Sequence, residues 1–384
     1  MEAFKQYPDV EIAAICDVYR PHLEQGIELA GGKARGYHDF RVLLAQKDLD
    51  AVVITTPPHW HALMFIYACQ AGKDVYCEKP MCRYPAEARA MVKAARQNNR
   101  VTQIGTQIHA GSNYRRVVEI VRSGVLGKIS CVRNILTLNE APDGIGKEAN
   151  TSPPEDLDWD MWLGPAPRVP FNWQRFKSGH HRYFADYSGS WLREMGPHIV
   201  DLPFWALQLG PPKSAQAIGG KFVTDDISEI PDTMDVLWEF PGLNMTWMNT
   251  CANSYNFGYG QAPNRGRRLR IIFQGLNATL VSDYGTHEII SEGKAMEEVE
   301  LPEPPEEEPT GHQREFLDSI KSRWQPSCNV EYHYPIAIAL CLGQIALEKG
   351  RKLEWDDDKG RVIHHPQGAA IVKPKYRKPW KLPV

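Results

Sequence analysis

The sequence has 384 residues, of which 42% are hydrophobic and 24% charged, and its formal net charge is −3. This length exceeds what one hydrophobic core usually holds, so we expect two domains. The near-neutral charge balance gives no electrostatic reason to expect nucleic acid or a membrane surface as a partner. No apolar run approaches the roughly 18 residues of a membrane span. The eight cysteines form no CxxC pair and no zinc-spaced cluster with histidine, so we predict free thiols and no metal.

An acidic residue follows the first apolar segment of the chain. Residues 10–16 predict a strand, and Asp17 comes directly after it. In a dinucleotide-binding fold, an acidic residue after the second strand binds the adenosine ribose hydroxyls and disfavours a 2′-phosphate, which predicts NAD over NADP. The same carboxylate could instead cap the helix that starts near Pro21. The residue alone leaves both interpretations open.

The glycine-rich loop of a dinucleotide fold does not precede this strand. Such a fold begins with a strand, the loop G-x-G-x-x-G and a helix whose N-terminus holds the pyrophosphate. Here residues 1–7 predict only the end of that helix, and Gly31, Gly32 and Gly36 follow a helix rather than a strand. Either about 25–30 residues precede this sequence, or the loop has been lost. We expect a cytoplasmic protein, although missing residues could carry an export signal.

The functional prediction depends most on residues 51–80. An apolar strand at residues 51–54, a helical run and a second strand at residues 74–77 predict a βαβ unit. Ligands of open parallel sheets lie beyond the carboxyl ends of the strands. Residues 55–58 and 78–80 occupy those ends, so we expect the chemistry there.

The pattern along the chain predicts two fold classes in succession. Strands and helices alternate through residues 1–124, which indicates a Rossmann-type, doubly wound parallel sheet. Residues 125–355 predict an α+β domain with a large, mostly antiparallel sheet, and residues 356–384 a C-terminal tail. Residues 297–309 predict a solvated linker. A loop-rich stretch, residues 140–182, contains three tryptophans that would either stack on a sugar ring or form core: Trp159, Trp162 and Trp173.

Two sites carry residues suited to proton or hydride chemistry. Lys79 lies at a predicted strand end, where an ammonium could hold a substrate hydroxyl and stabilise a developing alkoxide; alternatively it is an exposed lysine paired with Glu78. On a helical path Glu194, His198 and Asp201 would share one face, and a carboxylate beside an imidazole suits a general base. A structural histidine is the alternative there, and a metal lacks a third nearby ligand.

Five segments of the sequence resemble the Gfo/Idh/MocA family of sugar and polyol oxidoreductases. They are TTPPHWH (55–61), YCEKP (76–80), DWDMWLGPAP (158–167), GSWLREMGPHIVDLPFW (189–205) and YRKPW (376–380). The resemblance covers nearly the whole chain in order. It implies an N-terminal Rossmann domain, a C-terminal domain with an open antiparallel sheet, a site between them, and homo-oligomers formed through that sheet.

The resemblance also implies roles for individual residues. Lys79 matches the lysine of the EKP motif and His198 the histidine of GxHxxD, whereas Glu194 stands where family members often have aspartate. The longer side chain keeps the charge and moves it by one methylene. The positions that match the family's cofactor site are Asp17 at the ribose and Thr56, Pro57, His59 and Glu78 at the nicotinamide.

Three functional hypotheses follow. The first is an NAD-dependent oxidoreductase of a secondary hydroxyl in a sugar, glycoside or cyclitol, in which His198 takes the proton, Lys79 holds the oxygen and Glu194 orients His198. The second is a glycosidase that oxidises its substrate transiently, eliminates the substituent and reduces again, so that NAD is recycled. The third is a non-catalytic sugar-binding relative that has lost dinucleotide binding.

Overall fold

The computed structural model describes residues 1–255, 269–297, 299–304 and 309–383. The helices in this part of the chain are α1 (Glu2–Lys5), α2 (Arg20–Leu29), α3 (Phe40–Leu44), α4 (His61–Gln70), α5 (Pro85–Gln97), α6 (Ser112–Arg122), α7 (Trp159–Leu163), α8 (Trp173–Phe176), α9 (Trp191–Ile199), α10 (Asp201–Leu207), α11 (His312–Ser322) and α12 (Val330–Lys349). The strands are β1 (Ala14–Cys16), β2 (Arg35–Tyr37), β3 (Ala51–Ile54), β4 (Asp74–Cys77), β5 (Thr102–Ile104), β6 (Cys131–Thr137), β7 (Ser214–Gly220), β8 (Thr233–Phe240), β9 (Leu243–Thr250), β10 (Leu269–Gln274), β11 (Ala278–Ser282), β12 (His287–Ser291), β13 (Leu353–Asp356) and β14 (Arg361–Ile363). The predicted linker at residues 297–309 lies partly outside the described residues.

The N-terminal part of the chain forms parallel sheets, as predicted. The predicted βαβ unit is β3–α4–β4, in which Ala51 pairs with Asp74 and Ile54 with Cys77. β5 pairs in parallel with β4 on the other side. All four residues of β4 are buried, as expected for a central strand with both faces covered. This geometry places residues 55–58 and 78–80 at one edge of the sheet.

The parallel strands form two separate sheets in the part of the chain that is described. β1 pairs only with β2, and β3 only with β4. In the usual order of a dinucleotide fold, the strand that carries the glycine loop lies between these two pairs. Val53 of β3 is 43% exposed, whereas strands of parallel sheets are normally covered on both faces. The free edges of β1 and β3 are thus the two edges that this strand would join.

The C-terminal half forms a single nine-stranded sheet in the order β12-β11-β10-β6-β9-β8-β7-β13-β14. Among the strands that the structure describes in this sheet, only β6 and β9 pair in parallel, so the predicted mostly antiparallel sheet is confirmed. Burial alternates along β8 and β9, which gives the sheet one covered and one open face. The long helix α12 lies against β7 and β8. By length and hydropathy it alone among the described helices could span a membrane, but 72% of its apolar window is buried within the fold.

The loop-rich stretch forms a small core of its own. Its buried members are Leu157, Trp162, Leu163, Ala166, Phe171, Phe184 and Tyr187. Trp162 therefore belongs to this core, and Trp159 stacks on it at 4.6 Å between ring centroids. Trp173 is 42% exposed. Of the two interpretations of these tryptophans, the packing role holds for Trp159 and Trp162.

The C-terminal residues are part of the packed structure. β14 lies within the residues predicted as a tail and pairs with β13. Farther along, the hydroxyl of Tyr376 donates to Glu87 (2.5 Å) and the ring of Trp380 packs edge-on against Trp60 at 4.7 Å. The domain limits at residues 124 and 355 remain predictions.

Candidate active site

Lys79 and Glu194 form a buried ion pair. Lys79 follows β4, while Glu194 lies in the first turn of α9. Ser190 caps the N-terminus of that helix, and its hydroxyl accepts the N–H of Arg193. The Nζ of Lys79 lies 2.6 Å from Oε1 of Glu194 and 3.1 Å from its carbonyl oxygen. The structure therefore joins two predicted catalytic residues that lie far apart in the sequence. Because Lys79 is largely buried and pairs with Glu194, the alternative of an exposed lysine paired with Glu78 is wrong.

An arginine and a histidine also lie beside the Glu194 carboxylate. Nη2 of Arg182 lies 3.4 Å from Oε1, and Nε2 of His181 lies 3.8 Å from Oε2. Burial by itself would raise the pKa of Glu194, but the neighbouring His181 and the charges of Lys79 and Arg182 lower that pKa well below its usual range. The carboxylate is therefore ionised at any physiological pH. Sequence reasoning missed His181 and Arg182, because no spacing rule relates this loop to α9.

His198 lies one turn after Glu194 on α9 and is 8% exposed. Burial, reinforced by the charge of Lys79, lowers the pKa of His198 to about 4. The imidazole is therefore neutral at pH 7 and is able to accept a proton. Its Nδ1 has no hydrogen-bond partner among the described residues. A neutral imidazole near an ammonium is the arrangement that removal of a hydroxyl proton requires.

Two predicted contacts of His198 are absent from the described structure. The described residues show no hydrogen bond between Glu194 and His198, and Oε1 of Glu194 instead accepts from Lys79 (2.6 Å). Nor do these residues show a hydrogen bond between Asp201 and His198, although Val200, which joins α9 to α10, keeps a helical backbone conformation. The carboxylate of Asp201 instead accepts from the hydroxyl of Tyr332.

Asp17 lies at the carboxyl end of β1 with its side chain 37% exposed. Its Oδ1 accepts the N–H of Tyr19 (2.9 Å), and burial raises the pKa of the carboxyl. α2 begins at Arg20 without a side-chain cap, so the alternative that Asp17 caps this helix is wrong. The exposed part of the carboxylate is available to a ligand at the strand end.

The remaining predicted cofactor residues lie near the carboxyl ends of β3 and β4, with different exposures. Thr56, Pro57 and Glu78 are half-buried, and burial raises the pKa of Glu78. Gly105 makes room for this side chain, since a Cβ there would lie 2.7 Å from Oε1 of Glu78. His59 is 2% exposed, and its Nε2 bonds to the carbonyl of Trp162 (3.0 Å). The structure thus places His59 in packing between the βαβ unit and the loop core.

Two family models match this chain. One describes the NAD-binding Rossmann fold of the oxidoreductase family GFO_IDH_MocA and matches residues 1–106. The other describes the C-terminal α/β domain of that family and matches residues 111–209 and 290–382. The chain belongs to the Gfo/Idh/MocA family of oxidoreductases, whose N-terminal domain binds NAD.

Curated relatives match only part of their own length. The chain is 30% identical over 120 residues to inositol 2-dehydrogenase of Salmonella paratyphi B, which covers 31% of this chain and 36% of that protein. It is 29% identical over 140 residues to a glycosyl hydrolase family 109 protein of Shewanella baltica, which covers 34% of this chain and 30% of that protein. The matches thus span about a third of each relative.

Solved structures share the fold over most of the chain. The WlbA dehydrogenase of Bordetella pertussis, solved in complex with NADH and UDP-GlcNAcA, superposes with a TM-score of 0.66 at 18% identity. That alignment covers 90% of this chain and 91% of the other. At this identity the likeness defines the fold alone, and it agrees with the two-part architecture described above.

Proposed function

We propose that this protein is an NAD-dependent oxidoreductase that acts on a secondary hydroxyl of a sugar, glycoside or cyclitol. The observation that carries the proposal is the Lys79–Glu194 ion pair, built from both halves of the chain, beside a buried and neutral His198. NAD would supply the hydride acceptor. Side chains of this chain would hold the substrate and accept its hydroxyl proton.

Lys79 is suited to hold the substrate oxygen. An ammonium has three donors, and two of those on Lys79 are directed to the side chain and the carbonyl of Glu194. The third remains for a substrate hydroxyl and for the alkoxide that develops as its proton leaves. The side chain is 16% exposed, so the group is reachable while most water is excluded. Glu194 acts as a positioning residue that fixes the ammonium.

His198 is suited to accept the hydroxyl proton. With a pKa of about 4 it stays unprotonated at neutral pH, and charging it beside Lys79 is opposed by like-charge repulsion. Turnover should therefore depend on the ammonium of Lys79 and on the neutral imidazole of His198.

The residues present fit one side of the dinucleotide. Asp17 at the end of β1 would accept from the ribose hydroxyls and repel a 2′-phosphate, which favours NAD over NADP. Thr56, Pro57 and Glu78 lie at the neighbouring strand ends, where the nicotinamide side would lie. No residue is assigned to the pyrophosphate, because the strand and glycine loop that would cradle it are not part of this sequence.

The proposal is tested by NADH formation with a panel of cyclitols, aldoses and methyl glycosides. Lys79→Ala and His198→Asn should each reduce turnover at least a hundredfold, because each removes a group required in the transition state. Lys93→Ala, on an exposed site of α5, and His364→Asn, near a chain turn, serve as matched controls. Near-normal turnover in both site variants would exclude the assignment.

A cofactor titration separates the enzyme from a non-catalytic relative. NADH binding is measured for the 384-residue chain and for any longer product read in frame upstream of Met1. Tight binding by either form supports the proposal. Failure of both to bind would favour the hypothesis of a sugar-binding relative without dinucleotide chemistry.

The glycosidase hypothesis remains the second candidate, and the similarity to a glycosyl hydrolase family 109 protein is what favours it. In that reaction the cofactor is reduced and reoxidised within one cycle. A chromogenic glycoside distinguishes the two functions: release of the chromophore without net NADH supports the glycosidase, and net NADH from a free polyol supports the dehydrogenase.

We also propose that the chain forms homo-oligomers through the open face of the large sheet. Ile218 on β7 is 74% exposed and Leu237 on the adjacent β8 is 44% exposed. Apolar side chains grouped on an open sheet face are typical of protein contacts. Sedimentation of the wild type and of Leu237→Glu tests this: the variant should shift towards monomer, and an unchanged distribution would contradict it.

We further propose a cytoplasmic location. All eight cysteines are free thiols in this fold, as expected in a reducing compartment. Cell fractionation with an antibody to the chain tests the proposal, and recovery in an exported fraction would contradict it.

A further inference from the structure

A second cluster of reactive groups lies apart from the Lys79–Glu194 pair. His109 lies in the 3-10 turn Gln107–Ala110 after β5, Asp201 begins α10, and Cys328 precedes α12. These three side chains are almost entirely buried, and one donor atom from each lies within 4.8 Å of the other two. None of them has a role in the proposed reaction. A buried nitrogen, oxygen and sulfur donor set of this kind needs a physical explanation.

The distance between two of the three donor atoms suits a tetrahedral metal ion. Nε2 of His109 lies 3.4 Å from Oδ1 of Asp201. Two ligands bound to zinc at about 2.0–2.2 Å with a tetrahedral angle lie about 3.4 Å apart. The Sγ of Cys328 is directed at the carbonyl of Thr106 (3.4 Å), in the segment that leads to His109. Imidazole, carboxylate and thiolate together form a donor set that zinc accepts readily.

The surroundings of Asp201 resemble the outer contacts of a metal site. Tyr332 donates to Oδ1 and also lies 3.1 Å from Nε2 of His109. Nε2 of His333 lies 3.7 Å from Oδ2 of Asp201 and 2.5 Å from Oγ1 of Thr106. Such contacts orient ligating carboxylates in metal sites. Oδ2 of Asp201 and Nδ1 of His109 are nevertheless buried without a hydrogen-bond partner among the described residues, so hydrogen bonding within the fold leaves this group incompletely satisfied.

We propose that His109, Asp201 and Cys328 bind a zinc ion, with water or a neighbouring side chain in the fourth position. The ion would join the end of the N-terminal sheet to the starts of α10 and α12, and it would fix the short segment between His198 and Asp201. Sequence reasoning predicted no metal because the three ligands lie far apart along the chain and form no spacing motif. This inference is independent of the proposed function, since it concerns binding and not turnover.

Metal analysis of the full chain tests the proposal. The protein is expressed in zinc-supplemented or cobalt-supplemented medium, so that the buried site fills during folding, and is dialysed extensively. We expect one equivalent of metal per chain, and for cobalt a thiolate-to-metal charge-transfer band. Cys328→Ala and His109→Ala should each lose at least tenfold in bound metal. Cys341→Ala, at another buried thiol on α12, should retain it.

Three results would each overturn the proposal. The first is less than a tenth of an equivalent of metal in the wild type after supplemented expression. The second is cobalt binding without the charge-transfer band, which would exclude Cys328 as a ligand. The third is full metal retention by folded Cys328→Ala. If the variants fail to fold, the wild-type stoichiometry and cobalt spectrum decide the question alone.

Discussion

Replacing Glu194 with glutamine should destabilise the protein by leaving a buried cation without its partner. Glu194→Gln preserves the shape of the side chain but removes the charge that lies 2.6 Å from Nζ of Lys79. The two side chains are 3% and 16% exposed, so water compensates little. Breaking a buried pair by removing one partner typically costs about 3–5 kcal/mol. We expect about 3 kcal/mol here, because the carbonyl of Glu194 still accepts from Lys79.

A double-mutant cycle isolates this interaction. Lys79→Met leaves the Glu194 carboxylate beside Arg182 and His181, so we expect a smaller loss of about 2 kcal/mol. The double variant Lys79→Met/Glu194→Gln removes both charges and should lose at least 1.5 kcal/mol less than the sum of the two single losses, roughly the coupling of a buried pair. Equilibrium urea unfolding, followed by tryptophan fluorescence, measures all four free energies of unfolding.

An exposed pair provides the matched control. Arg96 and Glu331 also lie 2.6 Å apart, but their side chains are 64% and 47% exposed. The cycle Arg96→Met/Glu331→Gln should therefore give a coupling below about 1 kcal/mol. If the Lys79–Glu194 losses add to within about 0.5 kcal/mol, or match those of the exposed pair, the argument from burial is wrong.

The Glu194 pair also has a defined pH dependence. Because the folded-state pKa of Glu194 is lowered, its stabilising contribution is complete above the unfolded value of about 4.3 and is lost as pH falls through the folded pKa. Glu194→Gln should lack this acid-dependent part.

Three further predictions concern other parts of the structure. The folded-state pKa of His198 is about 4 against roughly 6.5 unfolded, so the wild type should lose stability as pH falls from 6.5 to 4. In urea unfolding, this loss of stability should exceed the loss in His198→Asn by up to about 3 kcal/mol. The prediction is contradicted if the free energy of unfolding falls equally with pH in the two proteins. Gly164→Ala would place a Cβ 2.0 Å from the Trp60 ring, at a residue whose φ is 49°. We therefore expect thermal melting to show a destabilisation of at least about 3 kcal/mol. Gly210→Ala is the control, because a Cβ at Gly210 would meet no neighbouring atom. Tyr376→Phe removes the buried bond to Glu87 and should cost about 1–3 kcal/mol with faster proteolysis of the C-terminal residues; unchanged cleavage would contradict that.

Much of the fold was predictable because it depends on local periodicity. The alternation of apolar strands with helices predicted the parallel sheets, and the pattern of residues 125–355 predicted the mostly antiparallel sheet. The βαβ unit placed Lys79 at a strand end for the same reason, since a strand and its following loop are consecutive in the chain. Helical spacing and the family resemblance both indicated His198 as a further candidate.

The electrostatic partners were decided only by the tertiary structure. Lys79 and Glu194 are 115 residues apart, so no periodicity relates them, and an ion pair depends on which charges are brought together in a low-dielectric setting. The same holds for Arg182 and His181 around Glu194. It holds again for Asp201, whose carboxylate accepts from the hydroxyl of Tyr332, 131 residues away in the sequence.

The sequence by itself thus determined the fold class of each half of the chain, the family, and the strand end at which the chemistry is expected. Only the tertiary structure decided that Glu194 holds Lys79 instead of His198, that Trp162 is core, and that β1 and β3 belong to separate sheets. The reason is physical. Backbone preference and hydrophobic period act over a few residues, whereas burial, ion pairing and strand neighbours depend on contacts between residues that the chain itself keeps far apart.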